Sequence, residues 1–179
     1  MSPVLTTARL ELREMAEGDL DDLARLLGDP DVMRYYQRPR TRAETLEWIQ
    51  KNRRRYREDG FGLWIVTLRD GGGFVGDCGL TVQRVDGVDE IELGYHVDPA
   101  HQGRGLATEA AIACRDLARN RFDARRVIAI IHPDNAASQR VAQKTGLALE
   151  RRTHGYGDGT QEVLIFAAAL RGPALCRPL

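Results

Sequence analysis

Several residue types are scarce in this chain, and each shortage closes off a class of function. There are three cysteines, Cys78, Cys114 and Cys176. Odd in number and far apart in sequence, they form neither a disulfide framework nor a metal knuckle. Cys78 and Cys114 read as small buried hydrophobes. The lysines are two, Lys51 and Lys144, so arginine carries nearly all of the positive charge, which we read as coding bias rather than function. The four histidines (His96, His101, His132, His154) lack a His-x-x-x-His spacing, and no metal site is expected. No run is long and apolar enough to span a bilayer. No signal peptide is evident before Arg9-Leu10-Glu11-Leu12, so a soluble cytoplasmic protein is expected. With 26 basic and 26 acidic residues, the chain has no overall electrostatic drive toward nucleic acid or anionic membrane.

What is present suits one domain. The 179 residues, 42% of them hydrophobic, are enough for a sizeable core. We place the domain at residues 7–170, with a tail at 171–179 that holds two prolines and no periodicity. Ala8 to Met15 alternates in part and predicts a first strand. Leu20, Leu23 and Leu27 share a helical face that Gly28 ends, and Asp29 to Met33 predicts a short helical turn. Thr41-Arg42-Ala43-Glu44 is a capping box opening a helix that carries Leu46, Ile49 and Tyr56. Within that helix Arg53-Arg54-Arg55-Tyr56-Arg57 reads as a solvated face, the alternative being a surface that meets an acidic protein substrate.

The second half alternates strands and helices. Phe61–Leu68, Phe74–Val82 and Glu90–Val97 are strands joined by Gly-rich and Asp86-Gly87 turns, an antiparallel meander. A helix runs from the turn after Val97 to about Asn120. Arg126 to Ile131 is nearly all apolar, as expected of a strand covered on both faces. Strand, crossover helix and strand imply a right-handed parallel unit. Asp134-Asn135 starts a further helix that ends at Lys144-Thr145-Gly146. Leu147–Thr153 and Gln161–Ala169 are the last two strands. The sum is an α+β fold: a mixed, mostly antiparallel central sheet with helices on both faces.

The chain is organised around Gln102-Gly103-Arg104-Gly105-Leu106-Ala107-Thr108. Two glycines at a helix start expose backbone N–H groups to an anion, and the helix dipole adds to the attraction. No Gly-Lys pair exists, which excludes a P-loop, and Thr108 stands where a dinucleotide fingerprint needs its third glycine. Read alone, the turn also fits a helix start with no ligand. Gln102, Gly105 and Ala107, however, match the Gln/Arg-x-x-Gly-x-Gly/Ala signature, and the chain resembles the GNAT superfamily of N-acetyltransferases. Thr7-Ala8-Arg9-Leu10-Glu11-Leu12-Arg13 and Asp29-Pro30-Asp31-Val32-Met33-Arg34-Tyr35 resemble its RimJ/RimL-like branch, and the likeness covers nearly the whole chain.

That resemblance implies acetyl-CoA as the acyl donor, its diphosphate on the turn formed by Gln102, Gly103, Arg104, Gly105, Leu106, Ala107 and Thr108. It implies two parallel strands that splay apart at a bulge, the pantetheine arm lying between them, and a backbone N–H near Val97 facing the reacting carbonyl. Acyl transfer to an amine needs a base, an oxyanion donor and a proton for the thiolate. Glu92 matches the family's acidic residue on this strand and is the expected base; the alternative is an exposed or ion-paired glutamate. Glu90, His96 and His154 are reserves. The family's usual acid, a tyrosine, falls at Ala142 here. Ser138, in the Asn135-Ala136-Ala137-Ser138 pattern of the branch, is the nearest hydroxyl, and Tyr156 is the alternative. Asn135 and Ser138 are both expected to touch CoA, although Asn135 also fits a helix N-cap and Ser138 an ordinary first-turn residue.

Without a Gly-x-Ser-x-Gly elbow or a His beside either cysteine in sequence, direct attack in a ternary complex is expected rather than a covalent acyl-enzyme. The acceptor is a primary amine, either a protein N-terminus or a small molecule. Two other functions stay open at this stage: a CoA-binding regulatory module without turnover, and transfer of a longer acyl group such as succinyl. A homodimer is left open.

Overall fold

A computed structural model describes residues 2–170; the tail expected at 171–179, with Cys176, lies outside the described residues. Eight strands form one sheet in the order β1-β2-β3-β4-β5-β6-β8-β7. In chain order these are β1 (Leu5–Thr6), β2 (Leu10–Arg13), β3 (Leu63–Leu68), β4 (Phe74–Val85), β5 (Val88–Val97), β6 (Arg126–Ile131), β7 (Ala148–Thr153) and β8 (Val163–Ala169). The helices are α1 (Leu20–Leu27), α2 (Arg42–Glu58), α3 (Leu106–Phe122) and α4 (Ala136–Lys144). Every neighbouring pair is antiparallel except β5 with β6.

Alternation along the strands separates two cores. On β3, Trp64 and Val66 join a cluster with Leu106, Ala110, Cys114 and Ala142 of α3 and α4. Leu63 and Ile65 point the other way, onto Leu23, Leu26, Leu27 and Ile49 of α1 and α2. Period-2 side chains on a sheet covered by 3.6-period helices on both faces give this division. α2 begins as the capping box requires: Thr41 Oγ1 accepts from Glu44 N (3.2 Å), and Glu44 returns the bond to Thr41 N (2.8 Å). Asn52 then locks α2 to the sheet, accepting from Leu63 N (3.0 Å) and donating to Trp48 O (3.0 Å).

Three local expectations change. The first strand is shorter than Ala8–Met15 and is preceded by β1, because Thr7 Oγ1 takes the Leu10 N–H and turns the chain. Asp29 to Met33 is a chain of turns rather than helix: the Asp29 carboxylate accepts from Asp31 N (2.7 Å) and Val32 N (3.3 Å), a local bond that competes with the helical ladder. β4 and β5 are longer than expected. Asp86 and Gly87 both have positive φ (50° and 79°), a two-residue turn whose twist lets the strands pair up to Val85 and Val88.

The site is positioned by a gap. β5 and β6 are parallel, with pairing recorded only at Glu92 and Ile128. Beyond that point β5 continues to Val97 and β6 to Ile131 with no pairing between them. The register of β5 on β4 runs unbroken from Val88 to Val97, so β5 carries no bulge there. The two strands part while the β4–β5 register stays intact, without the bulge the resemblance implied.

Candidate active site

At the end of β5, Asp98 N–H donates to Val75 O (2.9 Å). In an antiparallel ladder alternate residues point toward the same neighbour, so Val97 directs its N–H and C=O away from β4, into the splay. Gln102 Nε2 donates to that Val97 carbonyl (2.9 Å), which ties the turn to the strand end. Asp98 accepts from Ala100 N (3.0 Å) and from the Arg25 guanidinium, closing a single 3₁₀ turn before the glycines. Gly103 (φ 73°) and Gly105 (φ 77°) are both left-handed, a conformation that glycine adopts without the Cβ penalty. Among the described residues no acceptor meets the N–H groups of Gly103, Arg104, Gly105, Leu106, Ala107 or Thr108. Six consecutive donors at a helix start are thus left without a partner among the described residues.

The amino-terminal motif braces this turn. Glu109 in the first turn of α3 accepts from Thr7 Oγ1 (2.6 Å), Arg9 N (2.9 Å) and Arg9 Nε (2.6 Å), while Arg9 Nη1 donates to Arg104 O (3.0 Å). Arg9 thereby neutralises the one acidic residue in the first turn and keeps the field at the six amides positive.

On the same sheet face, α4 presents Ser138. Asn135 is an N-cap, its Oδ1 accepting from Ser138 N (3.0 Å). Ser138 Oγ lies 2.9 Å from the Tyr95 hydroxyl, which also donates to Ser138 O (3.0 Å). Ala142, at the position of the usual tyrosine, is buried in the core. Tyr95 is a hydroxyl that our sequence reading passed over. It falls on the face opposite Glu92, as alternation dictates, and burial raises its pKa above the ordinary tyrosine value.

The opposite face holds the charges. Glu92 accepts from Thr81 Oγ1 (2.9 Å) and Gln83 Nε2 (2.9 Å) and has no cation in contact. Burial raises its carboxyl above the usual range, and the two hydrogen bonds offset only part of that. Among the described residues it is thus neither fully exposed nor ion-paired. His96, one of the reserves, is clamped by Asp77, whose Oδ1 accepts from His96 N (3.1 Å) and Nδ1 (2.8 Å). Its Nε2 meets the Tyr36 hydroxyl at 2.8 Å. Burial works against the imidazolium, but the Asp77 charge and hydrogen bond outweigh it and the His96 pKa is raised. Asp77 was legible in principle: it is a lone carboxylate in an apolar strand, and here it is fully buried. Glu90 is taken up by Arg126 (3.2 Å) and is not available as a base. Tyr156 lies on the Glu92 side, packed near Val85 and Ile128, with its pKa pushed up to about 12 by burial first and by the Glu92 charge second.

The segment from Arg34 to Arg40 closes over the gap. Tyr35 stacks on His132 beyond β6 (centroids 5.3 Å), and Tyr36 reaches His96 on β5. Gln37 Nε2 donates to Asp158 Oδ2 in the β7–β8 loop (3.1 Å). The second motif, Asp29 to Tyr35, therefore ends in the first of two adjacent tyrosines, Tyr35 and Tyr36, that reach across the splay. The two cysteines, distant in sequence, stand with sulfurs 3.7 Å apart in the core, both buried. That hydrogen bond and burial push the Cys78 thiol pKa up, the opposite of what an activated thiolate needs.

Comparison with known proteins agrees with this geometry. Residues 9–148 match the family described as acetyltransferase (GNAT) domain. A Bacillus subtilis protein of uncharacterised function, YkkB, is 40% identical over 144 residues, covering 80% of this chain and 84% of its own. An acetyltransferase crystal structure from Agrobacterium tumefaciens superposes with a TM-score of 0.80 at 25% identity, covering 94% of this chain and 95% of that one. RimL, a ribosomal L7/L12 α-N-protein acetyltransferase in complex with coenzyme A, shares the fold at a TM-score of 0.77 and 20% identity, covering 94% and 98%. An unpaired amide turn, a splayed parallel pair and a match over most of the chain lead to one conclusion: the protein belongs to the GNAT family of acetyltransferases and is an acyltransferase.

Proposed function

We propose that the chain moves an acetyl group from acetyl-CoA to a primary amine by direct attack in a ternary complex. The observation that carries this reading is the run of six N–H groups from Gly103 to Thr108 without a partner among the described residues, set at the end of a strand that has left its parallel neighbour. These amides fit a diphosphate, with Gln102 holding the turn to Val97 and Arg104 adding charge at its rim. Bound there, acetyl-CoA supplies an activated thioester carbonyl. Val97 N–H faces the splay as an oxyanion donor, and Asn135 and Ser138 stand where the donor's arm would pass. Glu92 takes the proton from the incoming ammonium, and its raised pKa narrows the gap to an α-amine at about 7.7–8.0. The Ser138–Tyr95 hydroxyl pair holds a transferable proton on the thioester side.

The test is thiol release from acetyl-CoA over a panel of peptides, polyamines and aminoglycosides, with a calorimetric titration of acetyl-CoA alone. Peptides belong in the panel because RimL, by its name, acts on a protein N-terminus. Heat on titration and thiol release with at least one amine are expected. A flat titration would refute the reading.

A further inference from the structure

The arginines around α2 are not alike. Arg38 pairs with Glu44 (2.5 Å), Arg42 with Asp21 (2.6 Å) and Arg53 with Glu17 (3.1 Å), all at the surface. Arg55 makes no ion pair and no side-chain hydrogen bond among the described residues, yet it is the buried one, 9% exposed. Its Nη1 is a buried donor without an acceptor, and so is the neighbouring Trp48 Nε1. The two belong together, since the Arg55 guanidinium carbon lies 5.8 Å from the Trp48 ring centroid. Arg40 lies over the same ring at 4.6 Å and likewise has no ion pair. The run Arg53 to Arg57, read from sequence as a solvated face, thus has one member turned inward.

A guanidinium does not shed its proton, and desolvating it costs several kcal/mol unless an anion answers it. Burial disfavours the Arg55 charge most; the carboxylates that favour it are Glu92 first and Asp59 second, neither in ion-pair contact with it, and Glu92 spends its hydrogen bonds on Thr81 and Gln83. Lys51 alongside is held below its ordinary pKa by burial first and then by Arg55, Arg40 and Arg54, which marks a cluster of positive groups on α2 and before it. Alternation puts Glu92 on the α1/α2 face of the sheet, the face α2 covers, so that face carries a negative group at Glu92 and a positive one at Arg55, with two orphan donors beside Arg55. A zwitterion with its ammonium toward Glu92 complements both groups.

We infer that the acceptor is an amine carrying a carboxylate within a few bonds, and that Arg55 Nη1 and Trp48 Nε1 receive that carboxylate. This rests on the acetyl-transfer reading above and sharpens its acceptor to the amino-acid class. Two donors on two separate side chains suit the two oxygens of a planar carboxylate.

The experiment measures kcat/KM for α- and ω-amino acids, each against its own amide and its decarboxylated amine, with phosphoethanolamine against ethanolamine as a second arm. Carboxylate-bearing amines should exceed their neutral partners at least tenfold. In Arg55→Met, which keeps side-chain bulk without a charge, that ratio should fall toward one, and Arg55→Lys should fall between. A parallel calorimetric titration of the best amino acid into the CoA-loaded protein should lose its heat in Arg55→Met while circular dichroism stays native. A wild-type preference for neutral amines, a preference for the phosphate arm over every carboxylate, or a ratio unchanged in Arg55→Met would overturn the inference. Thiol release with neutral amines alone would refute this subsite and leave acetyl transfer standing. Failure of every amine, with no heat from acetyl-CoA, would refute the transferase reading itself.

Discussion

The two faces of the sheet at the splay are built from different materials. On one face lie the Tyr95–Ser138 hydroxyls and, past the strand end, the main-chain amides from Gly103 to Thr108, with the Val97 N–H at the edge between them, none of them charged. On the other lie Glu92, His96 with Asp77, and Arg55, all ionisable and all enclosed. Backbone donors can be fixed by a short local pattern of glycines, and under the proposed function they hold the diphosphate of the acyl donor. Enclosed charges need partners from distant elements, and they suit an acceptor that differs from one enzyme to the next. The comparison teaches that the donor side is generic and local, while the acceptor side is particular and tertiary.

The strongest way to break this comparison is Glu92→Gln. If the acceptor face supplies the base, kcat/KM should drop by about 10²–10⁴-fold with little change in acetyl-CoA affinity. The acid limb of the wild-type profile should lie above the ordinary glutamate value of about 4.3, because burial raises this carboxyl. If Glu92→Gln keeps its rate and His96→Gln loses it, the base is the Asp77–His96 pair instead.

Tyr95→Phe tests the uncharged face. It removes the hydroxyl paired with Ser138, and kcat should fall by about 10²-fold. Ser138→Ala, which leaves the tyrosine in place, should cost less. Equal and negligible effects in both would move the acid elsewhere, with Tyr156 the next variant to measure.

Gly105→Val probes the amide turn chiefly through its backbone, since a Cβ there meets only Arg9 Nη2, at an ordinary 3.7 Å. A β-branched residue at φ 77° costs about 1–3 kcal/mol in backbone strain and re-aims the donors. Hydrogen bonds to a charged group are worth about 1.5–3 kcal/mol each, so KM for acetyl-CoA should rise by about 10–100-fold while acceptor KM holds. A rise in acceptor KM alone would contradict the division of labour.

The smallest effect expected is on stability. His96 has a folded pKa raised by Asp77 above its unfolded value of about 6.5. Its stabilising contribution is complete below that unfolded value and is lost as pH rises through the folded one. Urea melts of wild type and His96→Gln should therefore differ more at about pH 5.5 than at about pH 9, by roughly 1 kcal/mol. A gap that widened with pH would show that the imidazole is held neutral.

Legibility follows the same line. The capping box at Thr41, the Asp86-Gly87 hairpin, α3 after the glycines and the buried run Arg126 to Ile131 are all short-range patterns, and they appear in the structure close to where they were expected. Asp29 to Met33 misled because an aspartate side chain can imitate a helical hydrogen bond. The N-cap that Asn135 also fitted, beside its expected contact with CoA, is present because that bond spans three residues. Arg55 was misread because helical periodicity marks which residues share a face, but not which neighbour covers that face. The Cys78–Cys114 contact was invisible for a related reason: 36 residues separate them, and the sheet and α3 bring them together.

The sequence by itself determined the elements, the glycine turn and the family, since each depends on hydrogen bonds and periodicities that close within a few residues. Tertiary structure alone decided that β5 and β6 would part without a bulge, that Tyr36 and Tyr35 would bridge the gap, and that a charged triad of Glu92, His96 and Arg55 would share one face. The physical reason is range. Local geometry is set by φ, ψ and side-chain spacing, whereas the energy of an enclosed charge depends on everything packed around it, and those neighbours come from α2, β4, β5 and two loops far apart in the chain.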